Sequence, residues 1–315
     1  MHNERIEFPN SAPEPLLIVG SVAYDDIITP TETGARVLGG SASYASLAAS
    51  YFTAPRLVGV VGKDFEEKDR ERFRLHGIDT EGVATDFSGP TLYWRGKYQE
   101  NYNRRDTLDI QLGVFEHFRP ELPAAWLETP YVLLANIAPE LQLHVLEQVK
   151  KPRFVVADSM DLWINIARPA LEQVIARADM FVVNDSEAEE LTGEKNLINA
   201  GARLRDFGAK TVVVKKGEHG AMLFHEDGLF ALPAYPVTRL LDPTGAGDSF
   251  AGTLLAVLAA LQRTDFGAIK TAMLYATAVA SLTVEAFSCD RLEGAGAEEI
   301  AARVKRLRAM VQLDD

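Results

Sequence analysis

Cysteine is almost absent from this sequence of 315 residues, in which Cys289 stands alone. A single cysteine excludes an intrachain disulfide and a zinc site built from cysteines. Long hydrophobic runs are also missing: the apolar stretches are of strand length or are interrupted by polar residues, whereas a membrane-spanning helix needs about 20 apolar residues. The polar, proline-containing start lacks the apolar core of a secretion signal. We therefore expect a cytoplasmic protein without a membrane partner.

Positively charged residues are fewer than negatively charged ones. The chain has 32 Lys and Arg residues against 45 Asp and Glu residues, a net charge of −13. Non-specific affinity for nucleic acids comes mainly from the neutralisation of phosphates by Lys and Arg, so a nucleic-acid partner is not expected. A small anionic substrate stays compatible with this balance if backbone amides and a few cations supply local positive potential. With 47% hydrophobic and 24% charged residues, the composition is that of a folded globular protein.

Short runs rich in Val, Ile and Leu predict strands that are covered on both faces of a parallel sheet. They occupy residues 16–20, 57–61, 131–135, 154–157, 180–183 and 211–214. Helical patterns lie between them at residues 43–51, 65–76, 141–150, 169–178 and 199–207, and further ones follow at 245–261, 266–287 and 297–311. This alternation predicts one α/β domain over residues 1–315, with a doubly wound, mostly parallel sheet.

Two stretches interrupt the alternation, residues 27–38 and residues 91–114. Both are rich in Thr, Tyr, Arg and Val, and their apolar and polar positions alternate, as in strands with one exposed face. They predict a small β-sheet lid that is contributed from two places in the chain.

The segment DPTGAGDSFAG, residues 242–252, carries the strongest chemical signal. It predicts a helix capped by Thr244 or Gly245, whose first turn presents unpaired amides to a phosphate-sized anion. Asp248 would be held ionised by the helix dipole and could accept the proton of an attacking hydroxyl. The structural alternative is an ordinary glycine-rich helix cap. The spacing fits neither a dinucleotide-binding G-x-G-x-x-G turn nor a P-loop.

Segments spread along nearly the whole chain, and in the same order, resemble the ribokinase/PfkB family of carbohydrate and nucleoside kinases. They are GSVAYD at residues 20–25, the glycine pair 39–40, NDSE at 184–187, KKGEHG at 215–220 and the GAGD segment. The resemblance implies a ribokinase-like fold and an ATP-dependent kinase that transfers the γ-phosphoryl group to a hydroxyl of a small sugar.

The resemblance assigns the phosphoryl-transfer roles. It implies Asp248 as general base, with the amides of Gly245, Ala246 and Gly247 as an anion hole. Asn184 and Glu187 would organise Mg²⁺ through water, because this hard ion keeps most of its hydration. The alternative for these two residues is the start of a helix that Asn184 or Ser186 caps. The remaining nucleotide contacts would come from Lys215, Gly217, Gly220 and Thr244.

The acceptor site would begin at Asp25, whose carboxylate accepts hydrogen bonds from two hydroxyls. Gly39 and Gly40 would let the backbone approach the sugar. Asn136 follows a predicted strand and is a weaker contact candidate. In the lid, Arg104 or Arg105 could reach phosphate or an acidic acceptor.

Three departures from the family pattern limit these assignments. Tyr44 stands where many relatives have Asn, so we expect this bulkier residue at the acceptor site. The segment DSMDLW at residues 158–163 lacks the Asn and Arg of the D-x-N-x-R region, which disfavours a phosphorylated acceptor. Pro243 and the unusual residues 285–290 argue against the monovalent-cation (K⁺) site of some relatives. Cys289 is expected to be a small buried residue.

Two alternatives stay open at this point. The aromatic residues of the lid could stack on the base of a nucleoside acceptor. They could equally pack against a second subunit in a homodimer. A non-catalytic relative that binds nucleotide or sugar without turnover is the alternative of another class.

Overall fold

The computed structural model of the chain describes Ile6, Phe8 and residues 13–313. Within these residues the strands are β1 (Leu16–Val19), β2 (Ala23–Ile28), β3 (Thr33–Gly39), β4 (Pro55–Gly62), β5 (Asp79–Asp86), β6 (Leu92–Tyr98), β7 (Arg105–Gln111), β8 (Tyr131–Leu134), β9 (Phe154–Asp158), β10 (Met180–Asn184), β11 (Thr211–Lys215), β12 (Ala221–His225) and β13 (Gly228–Leu232). The helices are α1 (Ser41–Ala49), α2 (Glu67–Leu75), α3 (Pro139–Gln148), α4 (Asp161–Ile166), α5 (Arg168–Arg177), α6 (Asp185–Thr192), α7 (Leu197–Asp206), α8 (Ala246–Leu261), α9 (Phe266–Thr283), α10 (Asp290–Gly294) and α11 (Ala297–Val311). No helix in this part of the chain has the length and hydrophobicity needed to cross a bilayer.

The large sheet has nine strands in the order β13-β12-β11-β10-β9-β8-β1-β4-β5. All neighbours from β11 to β5 pair in parallel, and only β12 and β13 are antiparallel. The doubly wound, mostly parallel α/β fold predicted from the alternation is therefore confirmed. The strand order changes direction between β1 and β8, and ligands of open α/β sheets bind at the carboxyl ends of the strands beside such a point.

Successive residues of β1 pack into separate hydrophobic cores on the two faces of this sheet. Leu16 and Ile18 belong to the core that contains residues of α1, α8 and α9, whereas Leu17 and Val19 belong to the core that contains residues of α3 and α5. Because both faces are covered, every residue of β1 is apolar and buried. This is the physical reason that the strand reads as a continuous hydrophobic run.

A second sheet of four strands, in the order β3-β2-β6-β7, forms the lid. The predicted stretches 27–38 and 91–114 contribute to it, but its first strand begins earlier, at Ala23. β1 ends at Val19, so the GSVAYD segment does not continue this strand, and its Asp25 lies on β2 of the lid sheet. The chain is redirected at Ser21, whose amide donates to Ser41 Oγ at 3.2 Å.

Three strands of the large sheet had no counterpart in the sequence prediction. The edge strand β5, with sequence DTEGVATD, is too polar to show the apolar pattern of a buried strand. β12 and β13 form an antiparallel hairpin in a stretch for which no strand was predicted. The last helical prediction before α10 also ran too far, since α9 ends at Thr283.

Small residues let α1 and α8 pack closely. All nine residues of α1 are buried, and its sequence SASYASLAA contains no long aliphatic side chain except Leu47. A Cβ atom at Gly252 of α8 would lie only 2.7 Å from Ala45 Cα, closer than Cβ contacts in folded proteins allow. Close packing at this point fixes the axis of α8 and therefore the position of its N-terminus.

We predict that Gly252→Ala destabilises the fold by about 1–3 kcal/mol, because the added methyl group forces the two helices apart. Denaturant unfolding followed by circular dichroism measures the change. Gly294→Ala is the matched control, since a Cβ there meets no atom within 4 Å and its backbone has no positive φ. Equal free energies of unfolding for the two variants would contradict the packing argument.

Candidate active site

The ends of three neighbouring strands and the start of one helix meet at the carboxyl edge of the large sheet. Asp158 is the last residue of β9, Asn184 of β10 and Lys215 of β11. The N-terminus of α8 places Asp248 at the same edge, because Lys215 lies beside Gly247. Parallel pairing brings these strand ends together, as expected for a ligand site in an α/β fold.

The helix tip is built on Gly245, which caps α8 in the left-handed conformation with φ 76°. The Tyr44 ring fills the space where a side chain at position 245 would lie. Both the backbone angle and this contact require glycine. No side chain caps the helix, so the tip is left to its own amides.

The structure changes the predicted set of anion-binding amides. The Ala246 amide donates to the Pro243 carbonyl at 3.2 Å in a tight turn, so it is already used. The amides of Gly245 and Gly247 donate to no backbone or side-chain acceptor in the described part of the chain. Two of the three predicted donors therefore stay available to a ligand, and the reverse turn at Pro243 accounts for the third.

Asp248 lies in the first turn of α8 and is partly buried. Burial, reinforced by the negative charge of Asp158, raises its pKa to about 6, although Lys215 and Arg105 act in the opposite direction. The carboxylate is therefore still mostly ionised at neutral pH, as predicted, but desolvation brings its pKa much closer to neutrality than that of an exposed Asp. A carboxylate with this pKa is better matched to proton transfer near neutral pH.

Lys215 is the cation of the site. Its ammonium pairs with Asp158, with Nζ 3.1 Å from Oδ2 and 3.4 Å from Oδ1. The same ammonium lies 3.0 Å from the position that a Cβ of Gly247 would occupy. Burial alone would lower the pKa of Lys215, but the surrounding carboxylates of Asp158, Glu187 and Asp248 raise it, so the side chain stays charged.

Asn184 and Glu187 form a reciprocal capping box at the start of α6. Asn184 Oδ1 accepts from the Glu187 amide at 2.8 Å, and Glu187 Oε2 accepts from the Asn184 amide at 2.9 Å. Burial raises the pKa of Glu187 to about 7, with the positive charge of Lys215 opposing it. The helix-start alternative is therefore present in the structure, and Asn184 is its cap.

The same pair fits Mg²⁺ that is bound through water. Glu187 Oε1 makes no hydrogen bond to any described residue, so it is free to accept one from a hydrated ion. Among the described residues, no three His, Cys, Asp or Glu side chains are grouped as a direct metal site. A cation near Glu187 would also restore its ionised form.

Asp25 is buried, with 4% of its surface exposed, and it lies against Gly39. A Cβ at position 39 would overlap the carboxylate, so glycine is required there for Asp25 to hold its place. Burial, followed by the negative charges of Asp242 and Asp248, raises the pKa of Asp25 well above its ordinary value. Gly40, with φ 91°, turns the chain into α1 directly beside it.

Asn136, two positions beyond the end of β8, is held by three contacts. Its Oδ1 accepts from Trp163 Nε1 at 2.9 Å, its Nδ2 lies 3.1 Å from Met160 Sδ, and its carbonyl accepts from Ser41 Oγ at 3.1 Å. These contacts place an indole and a thioether beside the glycine pair that leads into α1. The segment that lacks the family's Asn and Arg thus supplies Met160 and Trp163 at this point.

The lid contributes Arg105 and Tyr98, which face each other across the β6–β7 pair. The guanidinium of Arg105 opposes the burial-driven rise in the pKa of Asp25, Glu187 and Asp248, so it lies within electrostatic reach of all three. The Tyr98 hydroxyl is 3.0 Å from Thr244 Oγ1. The lid therefore contacts the segment that leads into the helix tip.

Tyr44 and Asp242 lie beneath the tip and are 1% and 0% exposed. Tyr44 packs against Gly245, so the structure gives it a packing position under the tip, and its contact with an acceptor stays a prediction. Asp242 Oδ1 accepts from the Thr244 amide at 2.9 Å, whereas Oδ2 has no partner among the described residues. Burial raises the pKa of Asp242 to about 6.

The segment 285–290 follows Val284, whose carbonyl accepts from the Asp242 amide at 3.2 Å, and the argument against a monovalent-cation site there stays a prediction. Glu285 is paired with Arg303, whose Nη2 lies 2.8 Å from Oε2. Cys289 is fully buried, as expected, and burial raises the pKa of its thiol well above the usual value. A buried neutral thiol is a poor nucleophile.

The two glycines predicted near the nucleotide differ in their surroundings. Gly217 is exposed, has φ 51°, and a Cβ there meets no atom within 4 Å. Gly220 has φ 87°, and a Cβ there would overlap the Leu232 carbonyl. Space for a ligand therefore exists at Gly217, whereas Gly220 is required by the turn into β12.

Sequence reasoning missed Asp158 and Tyr98 as site residues. Asp158 directly follows the predicted buried strand 154–157. Polar residues at this position of α/β folds face ligands, which is the signal that could have identified it. Tyr98 gave no such signal, because its contact depends on how the lid folds over the large sheet.

Comparison with known proteins identifies the family to which this chain belongs. The model of the pfkB family carbohydrate kinases matches residues 16–293. A cytidine kinase of Thermococcus kodakarensis is 30% identical over 252 residues, which are 76% of this chain and 87% of the relative. A 5-dehydro-2-deoxygluconokinase of Clostridium beijerinckii is 28% identical over 315 residues, covering 87% of this chain and 91% of the relative.

Solved structures share the fold. A putative ribokinase II from E. coli in complex with ATP and Mg²⁺ has a TM-score of 0.76 at 20% identity, covering 93% of this chain and 99% of that chain. A nucleoside kinase from Burkholderia thailandensis in complex with inosine has a TM-score of 0.73 at 22% identity, covering 92% and 96%. Together with the family match, these findings show that the chain belongs to the pfkB family of carbohydrate kinases and is a phosphotransferase with an alcohol group as acceptor.

Proposed function

We propose that this enzyme transfers the γ-phosphoryl group of ATP to a hydroxyl of a small sugar, with Asp248 as the general base. The observation that carries the proposal is the α8 tip, where free amides of Gly245 and Gly247 adjoin a carboxylate with a pKa of about 6. Anion-binding amides and a proton acceptor are the two functions that phosphoryl transfer to an alcohol requires.

In the proposed reaction, the acceptor oxygen bonds to the γ-phosphorus as the bond to the β–γ bridging oxygen breaks. Asp248 takes the hydroxyl proton, and the bridging oxygen leaves with ADP. The transition state is loose, so positioning and charge stabilisation contribute more than base strength. The amides of Gly245 and Gly247 and the ammonium of Lys215 would stabilise charge on the transferred group. Arg105 would add positive charge from the lid side.

Mg²⁺ would be held through water by Glu187 and Asn184, and when bound it supplies positive charge to the phosphate oxygens. Glu187 keeps one oxygen free for this role while the other caps α6. Ionised Glu187 requires a neighbouring cation or a pH above about 7, given its raised pKa.

For the acceptor, Asp25 is the proposed hydroxyl ligand, and Gly39 and Gly40 let the sugar approach the backbone. Closure of the lid would exclude water, which suppresses transfer of the phosphoryl group to water. A non-catalytic binding relative is a poorer fit, because it has no need for a general base poised beside free amides.

A nucleoside is the second candidate acceptor. The Trp163 indole and Met160 thioether beside Asn136 offer an apolar surface on which a base could lie while its ribose faces Asp25. The similarity to a cytidine kinase favours the same candidate. Measuring ADP release against matched panels of free sugars, sugar acids and nucleosides separates the two, because a nucleoside kinase turns over nucleosides and leaves the corresponding free pentose untouched.

We predict that Asp248→Asn lowers kcat by about 10²- to 10⁴-fold, since it removes the proton acceptor and keeps the shape of the side chain. Steady-state ADP release gives kcat, and calorimetry with ATP shows that nucleotide binding persists. Asp206→Asn, at an exposed position on α7, is the control and should behave as the unaltered enzyme. Wild-type kcat in Asp248→Asn would rule out the proposed base.

The pKa of Asp248 sets the expected pH dependence. Because the base must be ionised, kcat should fall as the pH drops through about 6, where the carboxylate becomes protonated. A pH profile of kcat at saturating substrates from about pH 5 to pH 8 measures this limb. A profile that stays flat over this range would contradict an essential base with a raised pKa.

The lid also supports the proposed homodimer. All residues of the lid's edge strand β7 are exposed, and Leu108 and Ile110 are each 51% exposed. Unpaired edge strands with apolar side chains favour pairing with another chain. We therefore propose that two copies associate through their lids.

We predict that the double variant Leu108→Asp/Ile110→Asp is monomeric, because like charges placed on the proposed interface repel. Light scattering after size-exclusion chromatography measures the mass in solution. Leu229→Asp is the control, since it lies on the edge strand β13 and is also 51% exposed. A wild-type monomer, or a double variant that stays dimeric, would refute the lid interface.

A further inference from the structure

Asp158 is a buried carboxylate to which the proposed reaction gives no role. It ends β9 with only 3% of its surface exposed. Its Oδ1 accepts from the Ser159 amide at 2.9 Å, and both oxygens face the ammonium of Lys215. A buried carboxylate is costly unless it is paired, so the ion pair accounts for its stability but not for its place at the active site.

The Lys215 side chain reaches across a whole strand to make this pair. β10 lies between β9 and β11, and the Lys215 backbone pairs with Asn184 on β10. Because the stem spans the middle strand, the direction of the ammonium is set by the carboxylate at its far end. The position of Asp158 therefore decides where the charge of Lys215 lies.

That position is directly against the helix tip. The ammonium is 3.0 Å from where a Cβ of Gly247 would stand, so it adjoins one of the two free amides. A cation and an amide side by side form a composite site for one anionic group.

Other carboxylates compete for the same ammonium. The positive charge of Lys215 opposes the burial-driven rise in the pKa of both Glu187 and Asp248, so both lie within its reach. An ammonium that turned to Asp248 would leave Gly247 and would tie up the proposed base. The Asp158 carboxylate, with two oxygens within 3.4 Å, holds it away from them.

The geometry points to Asp158 as a positioning residue that holds the Lys215 ammonium beside the Gly247 amide, where it meets the terminal phosphate of the nucleotide. This inference rests on the proposed function, since it takes ATP as the ligand of the tip. Asp158 acts through Lys215 and touches neither nucleotide nor acceptor.

The charges around Asp248 provide a readout that separates positioning from simple structural support. Asp248 faces Asp158 on β9, Lys215 on β11, Arg105 on the lid strand β7 and Asp25 on β2. Removing the negative charge of Asp158 lowers the pKa of Asp248, and a released ammonium lowers it further. Removing the positive charge of Lys215 raises it.

The test compares Asp158→Asn, Lys215→Met and the double variant. We expect each single change to lower kcat/KM for ATP by about 10- to 100-fold, as for a buried charge that loses its partner. In the double variant, Asp158→Asn should add less than about a 2-fold loss to that of Lys215→Met, because its effect requires the lysine. The acid limb of the kcat profile should move down for Asp158→Asn and up for Lys215→Met.

Asp179→Asn is the matched control. Asp179 also pairs with a lysine, with Lys210 Nζ 3.0 Å away, but this pair is more exposed and Asp179 precedes β10 at the opposite edge of the sheet. It should leave KM for ATP and the acid limb unchanged. The double variant contains no unpaired buried charge, so it can be studied even if Asp158→Asn does not fold. Its kcat/KM for ATP should equal that of Lys215→Met.

Wild-type KM and kcat in Asp158→Asn would overturn the inference, as would additive losses in the double variant or acid limbs that move in the same direction. Calorimetry with ATP keeps this result separate from the proposed function. An enzyme that transfers phosphoryl groups normally but ignores Asp158→Asn defeats only the positioning role. If the wild-type enzyme transfers no phosphoryl group, but both single variants bind ATP equally more weakly, the proposed acceptor chemistry is wrong. The positioning role of Asp158 is then still supported.

Discussion

An excess of negative charge in a partly buried space is the constraint that the rest of the site must satisfy. The carboxylates at this edge are those of Asp25, Asp158, Glu187, Asp242 and Asp248, and the cations that act on them are Lys215 and Arg105. Burial raises the pKa of several of these acids, so protonation lowers the negative charge of the site near neutral pH. A polyanionic nucleotide fits such a place only with amides, cations and metal supplied together. The glycine tip, the buried lysine and a hydrated ion would therefore act together to balance the negative charge of the nucleotide.

The lid is joined to this site through its own strands. Asp25 lies on the lid strand β2, so movement of the lid sheet and placement of the proposed acceptor ligand are coupled. The lid is anchored to the body at Asp64, which accepts from the Arg36 guanidinium at 3.0 Å and from the Thr91 amide at 2.7 Å. Arg36 and Thr91 belong to the two separate lid segments, so one carboxylate ties both of them. Because one carboxylate joins the two segments, the lid would move as a unit in the proposed closure that excludes water.

The fold was predictable where burial leaves a simple pattern in the sequence. β1, β8 and β11 read as continuous apolar runs because both faces of the sheet are covered, and the GAGD segment marked the helix tip correctly. The polar edge strand β5 lacks that pattern. The pKa of Asp248 and the proposed role of Asp158 could not be predicted from the sequence for another reason. Both depend on side chains that meet only after folding, such as Lys215, which lies 57 positions from Asp158.

The segment at Asn184 and Glu187 shows why a structural and a functional interpretation need not compete. Capping uses Asn184 Oδ1 and one carboxylate oxygen of Glu187, and it fixes the rotamers of both side chains. A side chain that is already fixed loses little entropy when it orients the waters around a metal ion. The oxygen left over is then presented in a defined direction at the strand edge. Helix capping is therefore the means by which this chain would preorganise its metal ligands, and strong helix-start signals at such edges are compatible with catalysis.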